Sequence, residues 1–137
     1  MSAPRRRGDA AHQQSAIPAS GFFRSFFFAG QGVWHAICTQ RNMRLHILAG
    51  AAAIAAGLVL RIGAADLACV LTVIGLVLTA EMLNTVVEAL TDLCTEEFHP
   101  LAKTAKDMAA GAVLISSLAA LGVGIAVFLP RLLRSAG

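Results

Sequence analysis

The stretch "LACVLTVIGLVLTAEMLNTVVEALTD", residues 67–92, decides the fold of this chain. Its first half is apolar enough to lie in a lipid bilayer, and the whole stretch is long enough for a spanning helix. Polar side chains then follow at spacings of i, i+3, i+7 and i+11, at Glu81, Asn84, Glu88 and Asp92. These spacings place all four side chains on one face of a helix. A carboxylate at membrane depth is costly, so this face needs either a partner or a function.

The composition of the whole chain indicates a membrane protein. Hydrophobic residues make up 57% of the 137 residues and charged residues 14%, and the mean hydropathy is +0.71. A soluble domain of this size could not bury so much apolar surface. The net charge of +3 is modest. No basic stripe with interleaved aromatic residues is present, so nothing in the sequence favours nucleic-acid binding.

Apolar runs and polar breaks predict an all-α integral membrane protein. Residues 1–20 are predicted to be a disordered polar tail, and residues 21–134 to form one membrane domain. Within this domain the pattern predicts an amphipathic helix lying on the membrane surface and three spanning helices. These are the surface helix at 22–40 and the spanning helices at 45–61, 67–93 and 101–129. The polar run "RNMRLH", at 41–46, is predicted to be a break before the first span.

The distribution of Lys and Arg predicts how the chain is oriented. Arg61, Arg131 and Arg134 fall on one side of the predicted spans, which leaves eight of the 11 basic residues on the other side. Because positive charges favour the cytoplasmic side, we expect the N-terminus and the loop "TEEFHP" in the cytoplasm. The C-terminus is then expected outside, in a multi-pass protein of the cell membrane.

A second polar cluster opens the third predicted span, where Lys103, Lys106 and Asp107 follow one another closely. Against the carboxylate face of the second span, this cluster would bring together carboxylates, an amide and two ammonium groups. Such a set suits phosphoryl transfer, which needs carboxylates for Mg²⁺, cations for the phosphates and a group that takes a hydroxyl proton. No Walker-type loop or protein-kinase motif is present. From the residues alone, a salt-bridge network between helices and a proton or ion pathway stay open as alternatives.

The motifs "EMLNTVVEALTD" and "EEFHPLAKTAKDMAAGAV" closely resemble the signature of the small prokaryotic lipid kinases, the diacylglycerol kinase family. The resemblance covers residues from about 21 to 130. Within the family, "RNMRLH", "EEFHPLAK" and "FLPRL" resemble the undecaprenol kinases of Gram-positive bacteria. The resemblance implies a homotrimer that transfers the γ-phosphate of ATP to a lipid hydroxyl at the cytoplasmic face, with Mg²⁺ as cofactor. Undecaprenol is the expected lipid; the alternatives are diacylglycerol as substrate, or a non-catalytic family member.

The same resemblance implies roles for individual residues. Glu81 matches the catalytic base, Asn84 its neighbour in the active site, and Glu88 a metal-binding carboxylate. A further group is expected at the nucleotide. It comprises Lys106, Asp107, Glu97, Phe98 and His99, together with Phe28 as a nearby aromatic residue and Arg24 as a phosphate contact.

One position departs from the family pattern. Where the resemblance places a second metal-binding glutamate, this chain has Gln40, in the context "TQRN". A glutamine offers a carbonyl oxygen to Mg²⁺ but no negative charge, and magnesium is usually bound through carboxylates and phosphate oxygens. We therefore expect weaker metal binding here, and Gln40 is the residue that supports the non-catalytic alternative.

Overall fold

A computed structural model of the protein describes residues 19–95 and 97–135, and these residues form four α-helices and no β-strand. The helices are α1 (Ala19–Thr39), α2 (Arg41–Val59), α3 (Ala64–Cys94) and α4 (Pro100–Ser135). The predicted tail lies outside the described residues as far as residue 18. Three helices are long and apolar enough to cross a membrane: Arg41–Val59, Ala64–Cys94 and Pro100–Arg134. The predicted all-α class and the number of spanning helices are thus confirmed.

The polar run before the first span is helical, contrary to the predicted break. Only Gln40, with an extended backbone (φ −97°, ψ 119°), separates α1 from α2, and α2 begins at Arg41. Arg, Met and Leu are good helix formers, so the polar residues of this run interrupt the apolar pattern without ending the helix. The first span therefore carries Arg44 and His46 on its opening turns.

Small side chains let α2 approach α3 closely and turn sharply after Val59. A Cβ at Gly50 would lie 3.0 Å from the Cγ2 of Ile74 on α3. At the end of α2, Ile62 folds back so that its Cδ1 lies 2.8 Å from where a Cβ on Gly57 would be. Arg61 has a φ of 50°, and its N–H donates to the carbonyl oxygen of Leu58. After this turn the chain continues as α3.

α3 and α4 form an antiparallel pair, and an ion pair joins the two helices near each end. Lys106 pairs with Asp92 at 2.5 Å near one end, and Arg131 pairs with Asp66 at 2.6 Å near the other. α4 continues through Pro130, past the predicted end at 129. A proline inside a helix removes a backbone hydrogen bond, but the ion pair of Arg131 with Asp66 holds the following turn against α3.

Among the described residues, those up to Gly32 form one compact unit and those from Val33 onward a second, so α1 spans the division. In the first unit the rings of Phe22 and Phe26 meet edge to face, with 4.9 Å between centroids. The guanidinium of Arg24 lies 6.0 Å from the ring centroid of Phe28. The phenylalanines of this segment are exposed, and their placement in the membrane interface stays a prediction.

Candidate active site

The polar face of α3 is buried at its centre. Glu81 is only 2% exposed and Asn84 8% exposed, although both lie in the middle of a spanning helix. The side-chain amide of Asn84 donates a hydrogen bond of 3.1 Å to Oε1 of Glu88. The i, i+4 spacing makes this bond possible, and it holds the half-buried Glu88 carboxylate in place.

Two oxygens on this face are left free for a ligand. Oε2 of Glu81 and Oδ1 of Asn84 are buried without a hydrogen-bond partner among residues 19–95 and 97–135. Buried polar atoms are normally paired, and an unpaired one costs free energy. His46 of α2 and Glu88 lie close enough to Glu81 to interact with it electrostatically. The sequence pattern assigned no role to His46, which is half-buried at the start of the first span.

The side-chain oxygens of Glu88 and Asn84 fit a magnesium site in part. Mg²⁺ takes oxygen ligands and is commonly bound by one or two carboxylates together with substrate phosphates. The described residues contain no group of three or more His, Cys, Asp or Glu side chains that could hold a metal by themselves. Glu88 and the amide oxygen of Asn84 could supply part of a ligand set that nucleotide phosphates complete. Gln40 sits half-buried at the α1–α2 junction, and its side chain does not cap the described start of α2.

A polar cavity of about 450 Å³ lies where the loop after α3 meets the start of α4. We call it the loop cavity; its lining includes Asp92, Thr95, Ala102 and Lys103. The lining also includes five of the seven residues predicted to bind nucleotide: Glu97, Phe98, His99, Lys106 and Asp107. The structure therefore brings this predicted group together.

The cations of the loop cavity are paired with carboxylates. Lys106 pairs with Asp92 across the two helices, and Lys103 pairs with Asp107 one turn along α4. All four side chains are more than a third exposed. Exposed ion pairs contribute little to stability. A phosphate group could therefore displace the carboxylates at small cost.

The loop is shaped by hydrogen bonds from its own side chains. The hydroxyl of Thr95 donates to the carbonyl oxygen of Glu97 and accepts from its N–H. Nδ1 of His99 accepts a hydrogen bond of 3.3 Å from the N–H of Leu101 in the first turn of α4. His99, predicted to contact ATP, therefore also caps a helix.

Two apolar spaces lie deeper in the membrane domain. The first, here called the interhelical cavity, has a volume of about 310 Å³ between α2, α3 and α4. It runs from His46 to Phe128 and passes Val77, one helical turn from Glu81. The second is a groove of about 480 Å³ between α3 and α4, with Asn84 in its lining. Both can hold hydrocarbon close to the buried polar face.

The other predicted site residues lie outside the loop cavity. Glu81, Asn84 and Glu88 do not line the loop cavity, but Glu88 is only one helical turn from Asp92, which does. Phe28 and Arg24 belong to the unit that ends at Gly32. The structure leaves their predicted role at the nucleotide untested.

Three further residues near the site were not assigned a role by the family resemblance. Asp92 and Lys103 line the loop cavity, and the spacing of Asp92 on the α3 face was the signal for it. Ser117 lines the interhelical cavity. Its only sequence signal is a pair of hydroxyl residues, Ser116 and Ser117, within an apolar run.

Comparison with known proteins places the chain in a family. The sequence model of the prokaryotic diacylglycerol kinase family matches residues 27–128. This range includes every predicted site residue except Arg24. The undecaprenol kinase of Bacillus subtilis is 39% identical over 111 residues, which cover 81% of this chain and 90% of that protein. A diacylglycerol kinase of Synechocystis sp. is 44% identical over 110 residues, which cover 80% of this chain and 63% of that protein. The chain therefore belongs to the prokaryotic diacylglycerol kinase family and is a lipid kinase.

Proposed function

We propose that this protein transfers the γ-phosphate of ATP to the hydroxyl of undecaprenol, giving undecaprenyl phosphate and ADP. The observation that carries the proposal is the position of Glu81. Its carboxylate is buried in the middle of a spanning helix, one helical turn from Val77 in the lining of the apolar interhelical cavity, on the same helix face that leads to the loop cavity. A lipid alcohol and a water-soluble nucleotide need such neighbouring apolar and polar spaces.

The proposed reaction assigns one task to each group. The lipid hydroxyl oxygen attacks the γ-phosphorus, the bond from this phosphorus to the β,γ-bridging oxygen breaks, and ADP leaves. Oε2 of Glu81 takes the hydroxyl proton, as a general base within hydrogen-bond reach would. Asn84 orients Glu88 through its 3.1 Å hydrogen bond.

The loop cavity would hold the nucleotide. Lys106 and Lys103 exchange their carboxylate partners for phosphate oxygens and so stabilise the charge that develops during transfer. Glu88, the amide oxygen of Asn84 and Gln40 would hold Mg²⁺, which when bound neutralises charge on the phosphates. Apolar surroundings around Glu81 exclude water, so the lipid hydroxyl has little competition as acceptor.

The location and assembly of the enzyme belong to the same proposal. The excess of Lys and Arg on one side supports a cytoplasmic loop cavity in the cell membrane, where ATP is available. A homotrimer, with α1 lying on the membrane surface, is carried over from the family resemblance.

Diacylglycerol is the second candidate substrate. It is favoured by the 44% identity to the Synechocystis diacylglycerol kinase. Undecaprenol is preferred because the match with the Bacillus subtilis undecaprenol kinase extends over 90% of that protein. Both lipids present a hydroxyl on an apolar chain, so the same site chemistry serves either one.

The test is transfer of ³²P from ATP to undecaprenol and to diacylglycerol in detergent micelles. Wild type and Glu81→Gln are compared, with Asp66→Asn as a control that neutralises a carboxylate at the other end of the same helix. We expect phosphorylated undecaprenol from wild type and Asp66→Asn, and none from Glu81→Gln. Faster turnover of diacylglycerol would replace the proposed substrate. No transfer to either lipid from folded protein would favour the non-catalytic alternative, and Gln40→Glu would be assayed next.

A further inference from the structure

We propose that Ser117 of α4 binds the lipid substrate directly, its hydroxyl donating a hydrogen bond to the oxygen of the lipid alcohol that is phosphorylated. This inference rests on the proposed function and adds a residue to its site. Neither the family resemblance nor the helix pattern singles out Ser117.

The hydroxyl of Ser117 is an exception among the buried hydroxyls of the described residues. A serine or threonine in a spanning helix usually donates to a carbonyl oxygen of the preceding turn. Ser116 does so to Val113 at 2.9 Å, and Thr85 does so to Glu81 at 3.0 Å. Oγ of Ser117 is buried and meets no partner in the part of the chain that the structure describes. Its donor is therefore available to a ligand.

The register of the antiparallel pair places Ser117 across from Glu81. Starting from the ion pair of Lys106 with Asp92, Ser117 is eleven residues further along α4 and Glu81 eleven residues back along α3. Eleven residues rise roughly 16 Å and make just over three turns, so both residues also keep the facing orientation of the ion pair. The pair of Arg131 with Asp66 gives the same register to within one residue from the other end.

The interhelical cavity supplies room for the rest of the ligand. Ser117 lines this cavity of about 310 Å³ together with Val77, one turn from Glu81. Apart from Ser117 and His46 its lining is apolar. A water held there would need two to four polar partners. A single hydroxyl on a hydrocarbon chain fits better, with its oxygen between Ser117 and Glu81 and the chain along the cavity.

The matched pair Ser117→Ala and Ser116→Ala tests the inference. Both variants remove one buried hydroxyl from neighbouring positions, but the hydroxyl of Ser116 is already bonded within its helix. Losing one hydrogen bond weakens binding roughly 3- to 10-fold. We expect Ser117→Ala to raise KM for undecaprenol and for diacylglycerol by about this factor, with KM for ATP and the melting temperature unchanged. Ser116→Ala should keep the wild-type KM for both lipids.

Several outcomes would overturn the inference. These are an unchanged lipid KM in Ser117→Ala, an equal change in Ser116→Ala, or an increase confined to diacylglycerol, which would indicate contact with an ester carbonyl. Thermal stabilisation by each lipid without ATP separates this result from a failure of the proposed function. If wild type transfers no phosphate while lipid still stabilises it more than it stabilises Ser117→Ala, that result would support the lipid site at Ser117 and contradict the proposed kinase activity. If lipid stabilises wild type and Ser117→Ala equally, the proposed lipid site at Ser117 is wrong as well.

Discussion

The ammonium of Lys106 lies 2.5 Å from a carboxylate oxygen of Asp92, across the interface between α4 and α3. This contact gives a residue that was predicted to bind phosphate a partner within the protein. Both side chains are partly exposed, so the pair adds only about 0–1 kcal/mol to stability. A nucleotide phosphate carries more charge than one carboxylate. We therefore expect Asp92 to hold Lys106 in place until phosphate displaces it.

Replacing Lys106 should weaken nucleotide binding. A hydrogen bond to a charged group contributes about 1.5–3 kcal/mol, so we expect Lys106→Met to raise KM for ATP about tenfold or more. Asp92→Asn is the matched control. It removes a competitor of the phosphate and should leave KM for ATP equal or lower. If both variants raise KM for ATP alike, the pair acts as a structural unit and Lys106 is not a phosphate ligand.

Breaking the hydrogen bond from Asn84 should loosen the metal site. With Asn84→Ala, Glu88 loses the donor that orients its carboxylate, and the unpaired amide oxygen of Asn84 is lost as a possible Mg²⁺ ligand. Outer-shell partners of metal ligands typically contribute 10- to 100-fold in affinity or activity. We expect the Mg²⁺ concentration for half-maximal activity to rise about tenfold.

The control for this prediction is Thr85→Val, which removes a hydroxyl from the same turn. Thr85 donates only to the backbone carbonyl of Glu81 in its own helix, so its loss should leave the Mg²⁺ dependence unchanged. Titration of activity with Mg²⁺ at saturating ATP measures both variants. An unchanged Mg²⁺ requirement in Asn84→Ala would show that Glu88 does not depend on this bond, or does not bind the metal.

The sequence was sufficient to predict the three spans and the polar face of α3. Helical spacing alone places Glu81, Asn84 and Glu88 on one face, and the cost of a carboxylate in a bilayer predicts that this face has a partner or a function. The first span was predicted to begin too late because a polar run was taken for a helix break. The ends of the apolar run mark where hydrocarbon begins, whereas helix ends depend on backbone hydrogen bonds and on anchors such as Arg131.

Contacts between helices could not be predicted from the sequence. Spacing fixes the face and depth of a residue but not its partner on another helix, so the pairing of Lys106 with Asp92 needed the structure. The same holds for Ser117. A hydroxyl in an apolar run is expected to bond to its own helix, and the inference that Ser117 lies across from Glu81 rests on the register of α4 against α3.

Restoring a carboxylate at position 40 should tighten metal binding. Gln40→Glu adds a negative charge where the family resemblance expects one, and Mg²⁺ is bound preferentially through carboxylates. We expect half-maximal activity at a Mg²⁺ concentration several-fold below that of wild type. Gln31→Glu makes the same change within α1 and should have no effect. A wild-type Mg²⁺ requirement in Gln40→Glu would show that position 40 does not contribute to the metal site.

The contact between α2 and α3 at Gly50 should make this glycine irreplaceable. A Cβ at Gly50 would lie 3.0 Å from Cγ2 of Ile74, and a β-branched side chain in a helix has little freedom to rotate away. Overpacking of this kind typically costs 1–3 kcal/mol. At Gly122, by contrast, an added Cβ meets no described atom within 4 Å, so alanine there should gain up to about 1 kcal/mol from helix propensity. We therefore expect Gly50→Ala to unfold at a lower temperature than wild type in detergent, and Gly122→Ala at an equal or higher one. Equal melting temperatures for the two variants would show that α2 and α3 can separate slightly at no cost, and that Gly50 does not set their distance.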